Sequence, residues 1–490
     1  MTETILVAGA GIAGLNAAMA LARPGRSVVV LDRDPAPPDL DPDTAFYDWE
    51  RKGVTQLRHS HVFLGRLVKL IREHHPRLWE ALLAAGAREF KFGEALPPSL
   101  AARYAYKKGD EDMSFLFSRR STLELVMRRY AQSLPGITFI PNAGIRGPVV
   151  ERRGTTVAVT GLRVTIGDTE ERVIDADAVV DATGRETQFP EWLEPFGVRL
   201  DPDPRPAGIL YFTRHYRLRD GQDEPSRDGP PGNGDLGYIK FGVFAADNRH
   251  FSLTLAVPEI ESELRTAIMR PEIFDRACAA MPGAARWTDP ARAEPVTKVF
   301  GMGNLKSVWR RYVKDGNPPL LGFYPIGDAA LRTNPLYGRG CSIGAIQAHI
   351  LAEVLDTTPD RSLCLGELEK RTYNEIRPFY EVMVKQDAQA IRRAVNEQNP
   401  SYRPRFKARL AKSLLEDAIG PASRADLDLL RAMMRPFHML EEPTGWIKRP
   451  SNMWRIFKAW ITPRAFKKHL YLPKPGPERA QMLQTLGLTG

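Results

Sequence analysis

An α/β protein with an inserted, mostly antiparallel sheet and a helical C-terminal region is what the sequence predicts, and three observations carry it. The chain opens with a short apolar strand, a glycine-rich turn and an alanine-rich helix; segments rich in Tyr, Phe, Val and Thr occupy residues 208–257; helical patterning dominates from about residue 365. The 490 residues are about three times the roughly 150-residue prior for one domain, so two or three lobes are expected. Hydrophobic residues make up 43% and charged residues 26%, which excludes a collagen, a wholly disordered chain and a disulfide scaffold.

Residues 5–8 form a fully apolar strand, 15–21 an Ala/Leu-rich helix, and 27–31 a second buried strand, of the kind covered on both faces in parallel sheets. A proline-rich stretch, 35–42, ends this βαβ unit, and a polar loop follows to about Arg58. Residues 62–75, 77–85 and 121–134 carry apolar side chains at three- and four-residue spacing, which predicts helices. Segment 155–165 alternates like a sheet strand, and 178–180 returns to the buried parallel type. Segments 208–218 and 236–257 read as antiparallel strands around a turn-rich loop, 225–235. Residues 320–326 return to the first lobe and 343–355 form a long helix.

Gly9-Ala10-Gly11-Ile12-Ala13-Gly14 follows the first strand and opens the first helix, where a dinucleotide fingerprint has to lie. Gly9 permits the tight turn, Gly11 lets the backbone approach a diphosphate, and Gly14 lets helix and strand pack closely. The helix N-terminus, starting at Ile12 and Ala13, offers free N–H groups and a positive dipole to phosphate. Asp32 ends the second strand, close to the ~20-residue spacing at which a carboxylate takes ribose hydroxyls, and Arg33 follows it.

Two later segments extend this reading by resemblance. Asp177-Ala-Val-Val-Asp181-Ala-Thr-Gly184-Arg185 resembles the strand-to-glycine segment of FAD-dependent monooxygenases and their reductase relatives. Tyr324-Pro325-Ile326-Gly327-Asp328-Ala329-Ala330 resembles their second FAD motif, in which Asp328 would meet the ribitol and ribose region. Asn334-Pro335-Leu336-Tyr337-Gly338-Arg339-Gly340 is similar to the loop that passes the isoalloxazine ring. The resemblance covers roughly residues 1–390 and includes aromatic hydroxylases, styrene-monooxygenase-like epoxidases and halogenases. It implies a Rossmann-like, glutathione-reductase-like FAD lobe from 1–90, 121–200 and 311–365, with a substrate domain from 91–120 and 201–310. It also implies that an arginine in Arg51-Lys-Gly-Val-Thr-Gln56-Leu-Arg58-His59-Ser-His61 reaches the FAD phosphates, with Arg51 or Arg58 the candidate. A second arginine opens a helix beside the cofactor, and spacing to Leu123 prefers Arg120 over Arg119. For His59 and His61 the ordinary role is structural hydrogen bonding; no zinc-type spacing is present and no metal is expected.

In that family reduced flavin captures dioxygen as a hydroperoxide whose outer oxygen passes to an electron-rich carbon, in a pocket kept dry. The resemblance therefore implies a monooxygenase that hydroxylates or epoxidises a small hydrophobic alkene or aromatic. Tyr211, Tyr238 and Phe241 are the candidate substrate contacts, although strand alternation lets only one sheet face see the pocket. Electrons would come from NAD(P)H directly or through a separate flavin reductase. The competing readings are a prenyl-reductase-like reductase of carbon–carbon double bonds, a halogenase, and a flavin-binding protein without turnover. The WxWxIP signature of halogenases is missing around 208–218.

A net charge of +10 spread over the chain does not select a partner, and no nucleic-acid-binding module is recognisable. Cys278, Cys341 and Cys364 are far apart, which suits a reducing cytoplasm. Residues 366–490 form a basic helical region. Within it, 448–474 carries eight Lys or Arg and no acid, with Met453, Ile456, Phe457 and Trp460 at helical spacing. Such a helix either packs on the protein with a solvated basic face or lies peripherally on an anionic membrane.

Overall fold

The computed structural model describes residues 2–167, 170–399 and 401–488. Its first layer is a parallel sheet in the order Phe323–Pro325, Ala178–Asp181, Glu3–Ala8, Arg26–Leu31, Ile137–Ile140. Ile5, Leu6, Val7, Val179 and Val180 are fully buried, as expected of strands with both faces covered. The helix Ile12–Leu21 packs against Gly340–Thr357, and small residues make that approach possible. A Cβ on Gly344 would lie 3.0 Å from the Ala13 Cβ, and one on Gly327 only 2.6 Å from it.

A long hairpin, Ala143–Arg153 with Thr156–Ile166, forms a separate sheet with Arg172–Asp175 and Leu320–Leu321. The predicted run 320–326 is therefore two strands, broken at Gly322 (φ 69°) and sorted into different sheets.

The antiparallel sheet runs Asn233–Asp235, Lys240–Ala245, His250–Pro258, Ile209–Leu218, Ala293–Pro295, with Phe300–Met302 also on Ile209–Leu218. One face carries Phe212, Phe251, Leu253 and Leu255, packed against helices Pro271–Ala279 and Arg479–Leu486. The other carries Tyr211, Thr213, Thr254 and Ala256, paired Tyr211 with Ala256 and Thr213 with Thr254. C-terminal to the first lobe lies the 37-residue helix Arg361–Glu397, then shorter helices including Phe406–Ser413, Leu427–Phe437 and Pro450–Ile461. Among the described residues no helix is long and apolar enough to cross a membrane.

Candidate functional site

One continuous cavity of about 770 Å³ extends from the glycine turn to the polar-and-aromatic face of the antiparallel sheet. The three fingerprint glycines divide their tasks as the spacing predicts. Gly9 sits at φ 105°, and a Cβ there would lie 2.6 Å from the Ala182 carbonyl oxygen. A Cβ on Gly14 would come within 1.9 Å of the Gly9 carbonyl oxygen, so it is the packing glycine. At Gly11, by contrast, a Cβ would meet nothing within 4 Å. It borders the cavity at the N-cap of helix Ile12–Leu21, whose first N–H groups have no side-chain cap. An open cradle in front of unpaired helix N–H groups fits a diphosphate. Gly184 (φ 85°) and Gly340 also border the cavity with open space at the Cβ position.

Asp32 and Arg33 line the same end. The Asp32 carboxyl is buried, and burial raises its pKa above the usual range against the opposing pull of Arg51. It belongs to a group of three carboxylates, Asp32, Asp34 and Glu124, with three guanidiniums, Arg51, Arg120 and Arg128. The Arg51 Nη2 lies 3.3 Å from Asp32 and donates to the Ala10 carbonyl at 3.2 Å, while its Nε donates to Asp34 at 3.1 Å. Arg128 lies 3.6 Å from Asp32, stacked 3.7 Å from the Phe139 ring centre, and burial lowers its pKa to about 10. The buried Asp32 Oδ2 faces the Arg51 and Arg128 guanidiniums. Because the group balances three charges against three, Arg51 acts mainly by holding Asp32 and the Ala10 carbonyl. Arg58 turns away, donating to the Phe46 and Tyr47 carbonyls.

The two adjacent arginines lie in different places. Arg120 lines the cavity, donating through Nε to Glu124 at 2.7 Å, with Nη1 3.3 Å from His61 Nε2. Arg119 instead ties the first lobe to the antiparallel sheet through buried contacts to Asp247. Asp328 lines the cavity opposite; burial raises its pKa, opposed by the charges of Arg120, Arg332, Arg185 and Arg310. Glu124 balances Arg120 and Glu186 pairs with Arg185, so Arg310 and Arg332 against Asp328 leave this end net positive by about one charge. Arg185 and Arg332 both line the cavity; sequence reasoning passes over Arg332, which carries no motif of its own.

Pro335 and Gly338 (φ 64°) border the cavity. Their loop is anchored from behind: Asn334 Nδ2 and the Tyr337 hydroxyl donate to Asp387 Oδ1 at 2.9 and 2.8 Å. Asp387, on helix Arg361–Glu397, is buried, and burial raises its pKa. It lies fifty residues from the loop in sequence, without a local signal to mark it. Arg339 is a correction to the sequence reading. Its side chain is outside the cavity lining, buried with the guanidinium 5.2 Å from the Phe379 ring centre, and burial lowers its pKa to about 10. The αL turn at Gly338 directs the following side chain into the C-terminal helix.

On the sheet side, Tyr211 lines the cavity and donates to Asn334 Oδ1 at 3.0 Å. Tyr238 does not: its hydroxyl donates to the Pro477 carbonyl at 2.7 Å, and its ring packs in the core on the far face. Phe241 borders the cavity but pairs with Leu255 and belongs to that same core, whereas Phe244, paired with Ser252, stands on the cavity face. Alternation separates Phe241 from Phe244, whereas Tyr238 precedes the strand Lys240–Ala245 and its turn carries the ring into the far core. Three further aromatics complete the wall: Phe115 and Phe117 from a short strand, and Phe437 from the C-terminal region.

His59 and His61 line the cavity and are bonded to the protein. His59 Nδ1 lies 3.0 Å from Thr213 Oγ1, which meets Thr254 Oγ1 at 2.7 Å; Thr254 in turn donates to Ser60 at 2.7 Å. This chain fastens the 51–61 loop to the sheet. Burial lowers the pKa of His59 to about 4 and of His61 to about 3, so both are neutral at neutral pH.

A parallel sheet with a glycine fingerprint, roofed over a shared cavity by an antiparallel sheet, is the architecture of FAD-dependent monooxygenases and their halogenase relatives. A family model of NAD(P)-binding Rossmann-like domains matches residues 7–37. Protein Rv3254 of Mycobacterium tuberculosis is 28% identical over 460 residues, 89% of each chain. Among solved structures, the flavin-dependent brominase Bmp2 aligns with a TM-score of 0.60 at 15% identity, covering 93% of this chain and 100% of that one. PqsL of Pseudomonas aeruginosa, a probable FAD-dependent monooxygenase, aligns with a TM-score of 0.54 at 18% identity, covering 80% of this chain and 98% of that one.

Proposed function

We propose that this protein is an FAD-dependent monooxygenase that hydroxylates or epoxidises a small hydrophobic alkene or aromatic. The observation that carries the reading is the single cavity joining a diphosphate cradle at Gly11 to an aromatic wall at Phe244, Phe115, Phe117 and Phe437.

Gly11 and the opening N–H groups of helix Ile12–Leu21 would take the FAD diphosphate, with Asp32 on the ribose and Asp328 on the ribityl region. Gly338 and Gly340 would let the backbone approach the ring. Bound there, FAD supplies dioxygen activation and the electron pair, delivered from NAD(P)H directly or by a separate flavin reductase. The protein's part is position and exclusion of water. Arg51 holds Asp32; Asp387 and Tyr211 hold Asn334 and so the 335–338 loop. The aromatic wall provides a dry, apolar seat. The arginines around Asp328 favour negative charge on the bound group.

The test supplies purified holoprotein with isotopically labelled dioxygen, a source of reduced flavin, and a panel of alkenes and aromatics. Labelled oxygen in the product is the expected result. A saturated product formed without dioxygen would replace the reading with double-bond reduction. A halogenated product in the presence of bromide would replace it with halogenation.

A further inference from the structure

The C-terminal region holds two helical segments whose apolar side chains are turned outward. Helix Phe406–Ser413 buries no residue at all, yet carries Phe406 and Leu410 one turn apart, with Phe406 76% exposed. The helical run continues through Leu414–Ile419 into Gly420–Ala425, which do bury residues, so its first two turns are held out by the part that packs. Beside it, helix Pro450–Ile461 is apolar on both sides. Asn452 and Ile456 pack inward, and the Trp460 indole donates to Ser413 Oγ at 3.1 Å, which joins the two segments. Met453, Trp454, Phe457 and Ile461 point out; at 3.6 residues per turn they fall within an arc of about 100°. Trp454 is 63% and Ile461 61% exposed. The stripe read from the sequence thus splits, with Ile456 and Trp460 turned inward and Met453 and Phe457 outward.

Most of the charges around these residues are basic. Residues 398–415 and 448–474 contain no acid. Arg449, Arg455 and Arg464 are engaged by Glu441, Asp426 and Asp417, and the buried Lys467 donates to the Ala459 carbonyl. Arg405, Lys407, Arg409, Lys448, Lys458 and Lys468 are exposed and make no ion pair among the described residues. Lys458 borders the Trp454 edge of the exposed arc.

We propose that these two segments form a docking surface for an anionic lipid membrane. Aromatic side chains framed by unpaired lysines and arginines match the acyl–headgroup boundary, where rings sink and cations meet lipid phosphate. The surface is peripheral, since no described helix spans. The proposal is independent of the reaction assigned to the cavity.

Flotation of the full-length holoprotein with phosphatidylcholine vesicles, with and without phosphatidylglycerol, tests it. Binding to the anionic vesicles alone is expected, weakening as salt is raised. Lys407→Glu with Lys458→Glu should weaken that binding at least about twentyfold, since each basic group near an anionic surface contributes a factor of about five. Trp454→Ala with Phe457→Ala should abolish it. All four positions are exposed, and an unchanged flavin content will report that each variant is folded. Failure of the wild type to float, equal binding to neutral vesicles, or variants that bind like the wild type would each overturn the proposal. So would a dimer in light scattering that Trp454→Ala converts to monomer, which would give the face to a second copy of the chain.

Discussion

The glycine turn and the antiparallel sheet face the same cavity from opposite sides, yet they are built on different constraints. At the turn, backbone meets backbone: the atoms nearest to Gly9 and Gly14 are carbonyls that cannot move without dismantling the parallel sheet. At the sheet, side chains do the work, and strand parity sorts most of them between the cavity and the far core, although Phe241 and Val243 of the far face also border the cavity. The turn is therefore intolerant residue by residue, while the sheet should tolerate change on one face and respond in function on the other.

Gly14→Val gives the sharpest test of the first half. Its Cβ would lie 1.9 Å from the Gly9 carbonyl oxygen, so we expect destabilisation beyond the roughly 5 kcal/mol that single substitutions seldom exceed, seen as loss of soluble folded protein. Gly11→Val, three residues earlier, should do the reverse. The cradle is open, so apo-protein melting should stay within about 1 kcal/mol of wild type while flavin absorbance disappears. Yellow, normal Gly11→Val protein would remove the cofactor from this cradle.

The seam between the two regions is probed by acid. His59 is held neutral by burial, with a pKa near 4 against 6.5 when unfolded. Above pH 6.5 neither state carries the proton. As pH falls toward 4 the unfolded state takes it up first, and stability is lost at about 1.4 kcal/mol per pH unit. Melts between these limits should flatten in His59→Asn by close to one proton; an unchanged slope would mean that His59 is not buried as described. Next in size, Asp328→Asn should weaken FAD retention about tenfold to a hundredfold, as loss of a charged hydrogen-bond acceptor does, measured by flavin release on dilution. Equal retention would take Asp328 out of the site.

The two sides of the sheet make the smallest and most discriminating prediction. Tyr238→Phe removes only the bond to the Pro477 carbonyl and should cost about 1 kcal/mol in chemical denaturation with kcat/KM unchanged. Phe244→Ala, on the cavity face, should change KM with little effect on folding. The opposite pattern would place the substrate on the other side of the sheet.

The sequence by itself determined the turn and the approximate position of the long helices up to about residue 357, while Arg361–Glu397 and Leu427–Phe437 were legible only as a helical region. Those features follow from backbone rules acting over a few residues: positive φ at Gly9, close packing at Gly14, three- and four-residue apolar spacing in helices. It also marked Asp32 and Asp328, which sit at set distances from glycine motifs, and Arg120, by resemblance and its spacing to Leu123. Only the tertiary structure decided which face of each element the cavity lies on. That is why Arg339 left the site, why Tyr238 and the Phe241 ring belong to the far core, and why Asp387, Arg332 and Phe437 entered without a local signal. The same holds for the C-terminal stripe, whose spacing is legible but whose inward half is chosen by neighbours at 414–419. Periodicity names the members of a face, and only packing against residues distant in the chain says what that face meets.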